Sequence, residues 1–453
     1  MNSSNQTAPV SSNYRWVICG LLFFATTFNY MDRQVISYLK EFFCTPVEQG
    51  GFGWSNTDFA YLTSFFTGVY AGMTVLVGWV IDKIGTKLGL ALSLIIWSIF
   101  GILNAFVGRL VMMHVLVRSA FGVGEAGNFP ASIKTVAEWF PKRERALATG
   151  IFNSGSNFGA MVAALFVPWC MIYFGDQKGW KMAFILTGAS GFLWLIFWFW
   201  LYETPAGQKR VSQAELDYIR IDDEPAASDA NGDKGKVSWG RLFGYRQTWA
   251  FVTGKFMTDG VWWFYLFWLP DYLKKQFGMT KHDVMLPTFI VYGVAIVGSI
   301  YGGSIPMTLI KKGMQVYKAR MTAMFIIAVF PLTVLTTQYF GNVEHFGKMA
   351  SVLAVAVICI GAAAHQAWSA NLFTTVSDMF PKKTVASVIG IGTTAGGIGG
   401  VIIQMLAGRL TDAFKETPQT AYLIMFIICA LSYLIAWSLM KTLVPRHKPI
   451  TDL

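Results

Sequence analysis

Residues 139–150 read WFPKRERALATG, and residues 379–390 read MFPKKTVASVIG. At a shift of 240 residues the two stretches share Phe, Pro, Lys, Ala and Gly at the same positions, and Gly159 falls on Gly399. Each stretch separates two long apolar segments of the chain. The repeat therefore predicts a protein built from two similar halves.

The composition places those halves in a membrane. The 453 residues are 54% hydrophobic and 13% charged, whereas a soluble chain carries about a quarter charged residues. Apolar runs long enough to cross a hydrocarbon core recur along the whole length. The hydrophobic windows predict about twelve spans, at residues 15–36, 59–80, 88–107, 110–138, 145–173, 181–201, 247–272, 284–309, 319–340, 350–380, 385–414 and 421–440.

The predicted fold is an all-α polytopic membrane protein with about twelve transmembrane helices in two pseudo-symmetric six-helix bundles. The longest hydrophilic interval divides the chain into a first bundle at 1–201, a central cytoplasmic linker at 202–246 and a second bundle at 247–453. The linker includes the acidic stretch 222–233, and a basic tail occupies 441–448. Because cytoplasmic segments attract Lys and Arg, we expect both termini in the cytoplasm.

Several other classes of protein fit the sequence poorly. The formal net charge is +11, but the basic residues lie in short loops between spans, so nucleic acid is not the expected partner. The five cysteines show no CxxC spacing, and four fall within apolar spans, where a thiol packs as a small hydrophobic group. No nucleophile–base set or metal cluster appears, so we expect neither an enzyme nor a cofactor or metal.

Four ionisable residues fall inside predicted spans, namely Asp32, Arg33, Arg118 and Glu125. Charges are expensive in lipid, so those retained there usually face a polar cavity and act on an ion or a substrate. Arg118 and Glu125 are seven residues apart and therefore share one face of a helix. The internal repeat places His365 opposite Glu125. An arginine beside an acid suggests an anion site next to a proton site, and the alternative is an ion pair that only locks helices together.

The loop after the second span reads GWVIDKIGTK at 78–87. Its glycines, Gly78 and Gly85, allow close helix approach and a tight turn, and Asp82 suits a helix N-terminus or a basic partner. The stretch resembles the G-x-x-x-D-R-x-G-R-K signature of the major facilitator superfamily, with Lys83 and Thr86 in place of the usual arginines. The corresponding loop of the second half, at 303–313, lacks the acid.

Three further blocks narrow the resemblance. NYMDRQVIS in the first span, RSAFGVGEAGNFPASIKTVAEWFPKRERALATGIFNSGSNFG across the fourth and fifth, and AHQAWSANL in the tenth are similar to the anion:cation symporter family. The long second block looks most like bacterial hexuronate transporters, which carry galacturonate or glucuronate with protons. The resemblance thus implies a proton-coupled carrier of an organic anion in a bacterial inner membrane, and we expect it to be monomeric.

The site residues are assigned on this basis. Arginine presents a planar fork to a carboxylate, so Arg118 is the expected anion-facing residue, with Arg33 either assisting it or holding Asp32. The resemblance implies that Asp32 and Glu125 carry protons, since loading an anion onto a nearby arginine favours protonation of an acid. Candidates for hydroxyl contacts and stacking are Tyr30, Tyr70, Asn153, Asn157, His365, Gln366, Trp368 and Asn371.

Two questions remain open at this point. Lys255 and Asp259 have i,i+4 spacing, so Lys255 either pairs with Asp259 or adds a second positive contact for the substrate. A hexuronate is the expected substrate, and the carrier alternatives are an aldonate such as galactonate, an aldarate, or an uncoupled exchanger. A transporter-like membrane sensor is the alternative from a different class. Gly396, Gly397, Gly399 and Gly400 are expected to permit close helix packing rather than to bind phosphate.

Overall fold

The computed structural model describes residues 12–222, 239–380 and 382–446, together with Lys448 and Ile450. Within this part of the chain all regular structure is helical, without strands. Most of the acidic linker stretch predicted at 222–233 lies outside the described residues.

The first half contains seven helices, which are α1 (Tyr14–Cys44), α2 (Asn56–Ile84), α3 (Thr86–Leu103), α4 (Val111–Glu125), α5 (Asn128–Trp139), α6 (Lys142–Phe174) and α7 (Asp176–Leu201). Two short helices of the linker follow, α8 (Gln213–Ile219) and α9 (Trp239–Leu242). The second half contains α10 (Arg246–Phe277), α11 (Met285–Lys311), α12 (Val316–Val329), α13 (Thr337–Phe340), α14 (Val343–Phe346), α15 (Met349–Met379), α16 (Lys382–Ala413) and α17 (Pro418–Leu443).

Nine helical segments in the described part of the chain are long and apolar enough to cross a membrane. The other three predicted spans fall on α1, on α4 together with α5, and on α10. These three segments carry buried charges, including Arg33, Glu125 and Lys255. The charges lower the hydropathy of the three segments, although each is long enough to span the hydrocarbon core.

The span predicted at 110–138 forms two helices that meet at Ala126 and Gly127. The interruption has a local cause at Pro130, because proline has no amide hydrogen to donate to the carbonyl four residues earlier. The Ala131 amide bonds to the Gly127 carbonyl at 3.1 Å, so helical hydrogen bonding resumes directly after the interruption. Glu125 thereby occupies the last turn of α4, immediately before the interruption.

Equivalent helices pack in equivalent ways in the two halves. In the first half α1 packs on α6 and α3 on α7, while in the second half α10 packs on α16 and α12 on α17. The halves meet along two seams, α2 against α16 and α6 against α11. This arrangement is the predicted pair of six-helix bundles, with α1 and α10 facing each other across the centre.

Glycines of α16 allow this helix to pack closely on α10 of its own half and on α2 across the seam. A Cβ added to Gly400 would lie 2.6 Å from Trp263 of α10, and one added to Gly397 would lie 2.2 Å from Ala71 of α2. Any larger side chain would force these helices apart. The glycine cluster therefore acts in helix packing, as the sequence predicted.

Several polar contacts join the two halves at one end of the bundle. We call the end that holds Tyr14 the proximal end and the end that holds Cys44 the distal end. At the distal end Lys40 of α1 forms an ion pair of 2.6 Å with Asp271 of α10. Asp412 of α16 accepts backbone hydrogen bonds from Asn56 at 2.9 Å and Thr57 at 2.6 Å, both at the start of α2. Polar contacts thus hold the two halves together at the distal end.

Candidate functional site

Arg33 lies at the centre of the molecule and is 1% exposed. Its Nε donates to Oε2 of Glu125 at 2.9 Å, and Glu125 is also 1% exposed. The guanidinium carbon lies 4.4 Å from the ring centre of Tyr30 and 4.6 Å from that of Tyr70. Trp263 of the second half approaches it at 5.3 Å, so both halves contribute to the surroundings of this cation.

The neighbouring Asp32 points in a different direction, because consecutive residues on a helix are about 100° apart. Its carboxyl group faces Thr187 of α7 and Trp97 of α3, inside the first half. Neither of its oxygens has a hydrogen-bond partner of normal geometry, although the residue is 2% exposed. The side chains of Asp32 and Arg33 therefore lie in two separate environments, and Arg33 forms its ion pair with Glu125 rather than with Asp32.

Arg118 lies behind Arg33. Its Nη2 donates to the backbone carbonyl of Arg33 at 3.0 Å, and its guanidinium carbon lies 4.4 Å from the ring of Phe121. Its Nη1 is buried without a hydrogen-bond partner. Arg118 thus braces α1 from within the first half, while Arg33 is the arginine that reaches the second half.

On the second half, Lys255 and Asp259 form the i,i+4 ion pair that their spacing allowed, with a separation of 2.5 Å. The Lys255 ammonium lies 4.6 Å from the ring centre of Phe373. A Cβ added to Gly396 would lie 2.3 Å from the Asp259 carboxylate, so α16 passes directly beside this pair. A second buried cation therefore lies on α10, about two turns before Trp263.

His365 and Trp368 pack inside the second half. The Nδ1 of His365 lies 2.8 Å from the hydroxyl of Tyr433, and its ring stacks on Trp262 with centroids 4.9 Å apart. Trp368 is fully buried and meets Tyr433 edge-on at 5.7 Å. The structure thus directs His365 at Tyr433 and Trp262, whereas Glu125 is directed at Arg33.

The remaining polar candidates fall into three environments. Gln366 donates across the seam to Asn157 of α6 at 3.4 Å. Asn371 donates to the carbonyls of Gly302 and Ala367, each at 2.9 Å, and so ties α15 to α11. Asn153 is exposed on α6. Of these three, Gln366 joins the two halves next to the central site.

Sequence reasoning missed the aromatic wall that the second half provides. Trp262 stacks on His365, and Trp263 lies over Arg33, so this adjacent pair faces two parts of the site. Phe66 of α2 adds a further ring at 5.5 Å from the Arg33 guanidinium. The doubled tryptophan next to Asp259 was the available signal, but tryptophan in a membrane protein is also common as an interface anchor.

The loop motif joins α2 to α3 at the proximal end. Gly85 has φ of 86°, a conformation that glycine adopts without strain, and a Cβ on Gly78 would lie 3.6 Å from Pro130. Thr86 donates to Glu138 of α5 at 2.8 Å. The side chain of Asp82 lies outside the described residues.

The arrangement is suited to binding a small anion next to an ionisable acid. A guanidinium enclosed by aromatic rings binds carboxylates strongly, since the rings exclude water and stabilise the cation. The Arg33 guanidinium already binds the carboxylate of Glu125, so an incoming anion would compete with Glu125 for the same hydrogen bonds. Among the described side chains, His, Cys, Asp and Glu form no cluster of three that is suited to a metal ion.

Comparisons with known proteins place the chain in a family. The Major Facilitator Superfamily model matches residues 22–404. The chain belongs to the major facilitator superfamily. Members of this superfamily are membrane transporters rather than enzymes, in agreement with the many apolar helices of the fold.

Individual relatives agree with this assignment. The hexuronate transporter of Escherichia coli K12 is 28% identical over 428 residues, which is 94% of each chain. The D-galactonate transporter of Escherichia coli O6:H1 is 26% identical over 430 residues, or 93% of this chain and 95% of the relative. A crystal structure of a bacterial homolog of the human lysosomal transporter Spinster has a TM-score of 0.73 at 17% identity, covering 98% of this chain and all of its own. The protein is therefore a multi-pass membrane transporter related to sugar-acid carriers.

Proposed function

We propose that the protein imports a sugar acid together with protons by alternating access, and that a hexuronate such as galacturonate or glucuronate is its substrate. The observation that carries the proposal is the buried Arg33–Glu125 ion pair, enclosed by aromatic rings from both halves. The similarity to hexuronate and galactonate transporters supports a sugar acid as the substrate class. The acid beside the cation supports coupling to protons.

Competition for Arg33 gives a physical reason for coupling. A substrate carboxylate that takes the hydrogen bonds of Arg33 would leave an ionised Glu125 buried without its counterion. An uncompensated buried charge costs several kcal/mol, and protonation of Glu125 removes it. Substrate binding and proton binding are therefore favourable together, which is the requirement for symport.

The neutral groups around the cation suit the rest of a hexuronate. The hydroxyls of Tyr30 and Tyr70 and the amides of Asn157 and Gln366 can exchange hydrogen bonds with sugar hydroxyls. Trp263 offers an apolar face to the sugar ring. Each contact alone is weak, but a site built for hydroxyl groups discriminates strongly against analogues that lack them.

The larger organisation of the molecule completes the proposal. We propose that the bundles 1–201 and 247–453 rock against each other around the central site, joined by the linker 202–246. Both termini would then lie in the cytoplasm and the distal end would face the periplasm. A bacterial inner membrane is the proposed location, with the monomer as the transporting unit.

One observation favours a second substrate class. Lys255 places another buried cation on α10, paired with its own acid, Asp259. A substrate with a carboxylate at each end, such as an aldarate, could use Arg33 and Lys255 together. This alternative has the same fold and transport cycle. It differs only in a second carboxylate at the other end of the substrate.

A ligand panel on the purified wild-type protein tests the proposal. We expect galacturonate and glucuronate to raise the thermal unfolding midpoint in detergent and the neutral sugar galactose to leave it unchanged. The midpoint shifts produced by galactonate and galactarate compare the alternative substrate classes with the hexuronates. In proteoliposomes a pH-sensitive dye inside the vesicles should report acidification when the bound acid is added outside. If no sugar acid binds, the substrate class is wrong, and binding without acidification would remove the proton coupling.

A further inference from the structure

A row of buried polar side chains runs through the first half between α1 and α5. It consists of Asp32, Asn29 and Thr26 on α1 and Asn128, Ser132 and Thr135 on α5, and all six are 2% exposed or less. We call this row the α1–α5 track. The α1 members recur every three residues and the α5 members at intervals of four and three, so each set lies on one helix face.

The two sets meet at one point. The Asn128 amide donates to the hydroxyl of Thr26 at 3.2 Å, which joins α5 to α1. From Thr26 the α1 members rise towards Asp32 over about 9 Å, and from Asn128 the α5 members descend about 10 Å to Thr135. The track therefore extends from Asp32 towards the proximal end without passing through the space around Arg33.

The proximal end of the track reaches a partly exposed acid. Tyr202 lies beside Thr135, and its hydroxyl donates to Glu138 at 3.0 Å. Thr86 donates to the other oxygen of Glu138 at 2.8 Å. Glu138 is only partly buried, so this carboxylate can exchange protons with the proximal side.

Much of the track's hydrogen-bonding capacity is unused by protein groups. Both amide atoms of Asn29, the amide oxygen of Asn128 and the hydroxyl of Ser132 are buried without a protein hydrogen-bond partner, and neither oxygen of Asp32 has one of normal geometry. Buried polar groups in proteins are paired either with protein or with ordered water. A line of such groups between an acid at the surface and an acid in the interior is the arrangement that water-mediated proton transfer needs.

The fold itself does not require polar residues at these positions. The repeat places Asn128 on Trp368 and Ser132 on Leu372, and both of these residues are fully buried and carry neither an amide nor a hydroxyl group. The register holds in the structure, because α5 ends before Phe140 and α15 ends before Phe380 with the same extended backbone. The acid equivalent to Glu138 is Asp378, which forms an ion pair with Arg320 at 2.6 Å. Among the described side chains, the acid at the end of the polar row in the first half is held by hydroxyl groups, whereas its equivalent in the second half is held by an arginine.

We propose that the α1–α5 track is a proton pathway that connects Glu138 at the proximal end to Asp32, separate from the route of the substrate. A proton leaves the Asp32 carboxyl, passes along water held by the track and is released through Glu138, leaving Asp32 as the carboxylate. The groups that face Asp32 are Thr187 of α7, Trp97 of α3, and Arg118 and Glu125 of α4. The inference rests on the proposed proton coupling and adds a route and a direction of release to it.

Isosteric replacements within the track test this inference. Asn128→Leu and Ser132→Ala keep the approximate size of the side chain and remove its hydrogen-bonding groups. In proteoliposomes we expect each to slow proton-gradient-driven uptake of galacturonate and the accompanying internal acidification by about tenfold or more. Counterflow of labelled for unlabelled substrate should stay within about threefold of wild type, because exchange requires no net release of protons.

Two further variants separate a relay from a structural role. Ser132→Thr retains the hydroxyl and should restore coupled uptake. Thr375→Val removes a buried hydroxyl at the position that the repeat aligns with Thr135, and should leave coupling unchanged. Wild-type coupling in Asn128→Leu and Ser132→Ala, or an equal loss of counterflow in both, would overturn the pathway. Absence of acidification in the wild type would instead refute the proposed proton coupling itself.

Discussion

At the scale of single residues, Asp32 and Arg33 illustrate how adjacent charges acquire different environments. Arg33 points to the centre of the molecule, where Glu125 and rings from both halves surround it. Asp32 points into the first half beside Thr187 and Trp97. The sequence identified both residues as intramembrane charges, but it could not assign their directions, because a one-residue step on a helix separates them by about 100°.

The two arginines make a direct comparison possible. The sequence favoured Arg118 as the anion-facing residue, whereas the structure brings Arg33 to the second half and leaves Arg118 bound to the Arg33 carbonyl. We expect Arg33→Gln to weaken hexuronate binding by about 100-fold or more, because truncating one partner of a buried charge pair costs about 2–5 kcal/mol. Titration calorimetry on the purified proteins measures the loss.

Further variants at Arg33 and Arg118 distinguish a residue that binds substrate from one that stabilises the fold. Arg33→Lys keeps the charge but loses the planar fork, so intermediate affinity is expected. Arg118→Ala should lower thermal stability more than affinity, since it removes a brace rather than a ligand. Unchanged affinity in Arg33→Gln together with lost affinity in Arg118→Ala would reverse the assignment.

At the scale of helices, the distal contacts between α1 and α10 hold the distal end of the bundle closed. Lys40 and Asp271 are 1% and 5% exposed, and Lys275 adds a second ammonium at 3.1 Å from the same carboxylate. Tyr422 of α17 also donates a hydrogen bond to Asp271. These groups belong to different halves, so they must separate whenever the distal end opens.

Substitution of this ion pair should shift the balance between open and closed states. Asp271→Asn leaves Lys40 buried without its counterion, which costs about 3–5 kcal/mol in the closed state. We expect distances between spin labels at the distal end to lengthen in this variant. The double variant Lys40→Met with Asp271→Leu removes both charges and should return towards closure. An unchanged distance distribution in Asp271→Asn would show that the pair does not hold the closed state.

The linker helix α8 is attached to the start of α1 through one buried acid. Glu215 accepts hydrogen bonds from the amides of Tyr14 at 3.0 Å and Arg15 at 3.1 Å, and its carboxylate pairs with the Arg15 guanidinium at 3.0 Å. Burial alone would raise the pKa of Glu215, but these hydrogen bonds, with another from Ser12, bring it below its usual value of 4.5. Docking of α8 is therefore stabilised above about pH 4.5 and weakens as the pH falls through the lowered pKa.

Hydrogen exchange measures this attachment. We expect Glu215→Gln to speed amide exchange of residues 213–219 by about tenfold at neutral pH, since a hydrogen bond to a charged group contributes about 1.5–3 kcal/mol. Asp217→Asn is the matched control, because Asp217 is exposed on the same helix and accepts a hydrogen bond from Gln213 within that helix. Equal exchange in the Glu215→Gln variant and the wild type would show that α8 is held by other contacts.

At the scale of the whole molecule, hydropathy and the internal repeat were sufficient to predict the two bundles. The prediction missed features that depend on a single residue or on contacts between the two halves. The helix α1 continues to Cys44 rather than ending at 36, because Lys40 is buried against the other half instead of facing water. The break between α4 and α5 depends on Pro130. Pairs such as Lys40 with Asp271 join residues remote in sequence, so no local pattern could reveal them.

Most residues of the candidate site could be predicted from the sequence, but the contacts between them could not. Arg33, Glu125, Tyr30 and Tyr70 were all singled out from the sequence and lie together in the structure. The Trp263 contact depends on how the halves meet, which the sequence of either half alone does not specify.

In the proposed mechanism Glu125 couples proton binding to substrate binding at Arg33. The most direct test is uptake of labelled galacturonate into proteoliposomes with an acid exterior, comparing the wild type with Glu125→Gln. We predict that the wild type accumulates substrate above equilibrium, while Glu125→Gln exchanges substrate in counterflow but does not accumulate it. Accumulation by Glu125→Gln at the wild-type level, or wild-type uptake that ignores the pH gradient, would contradict the account.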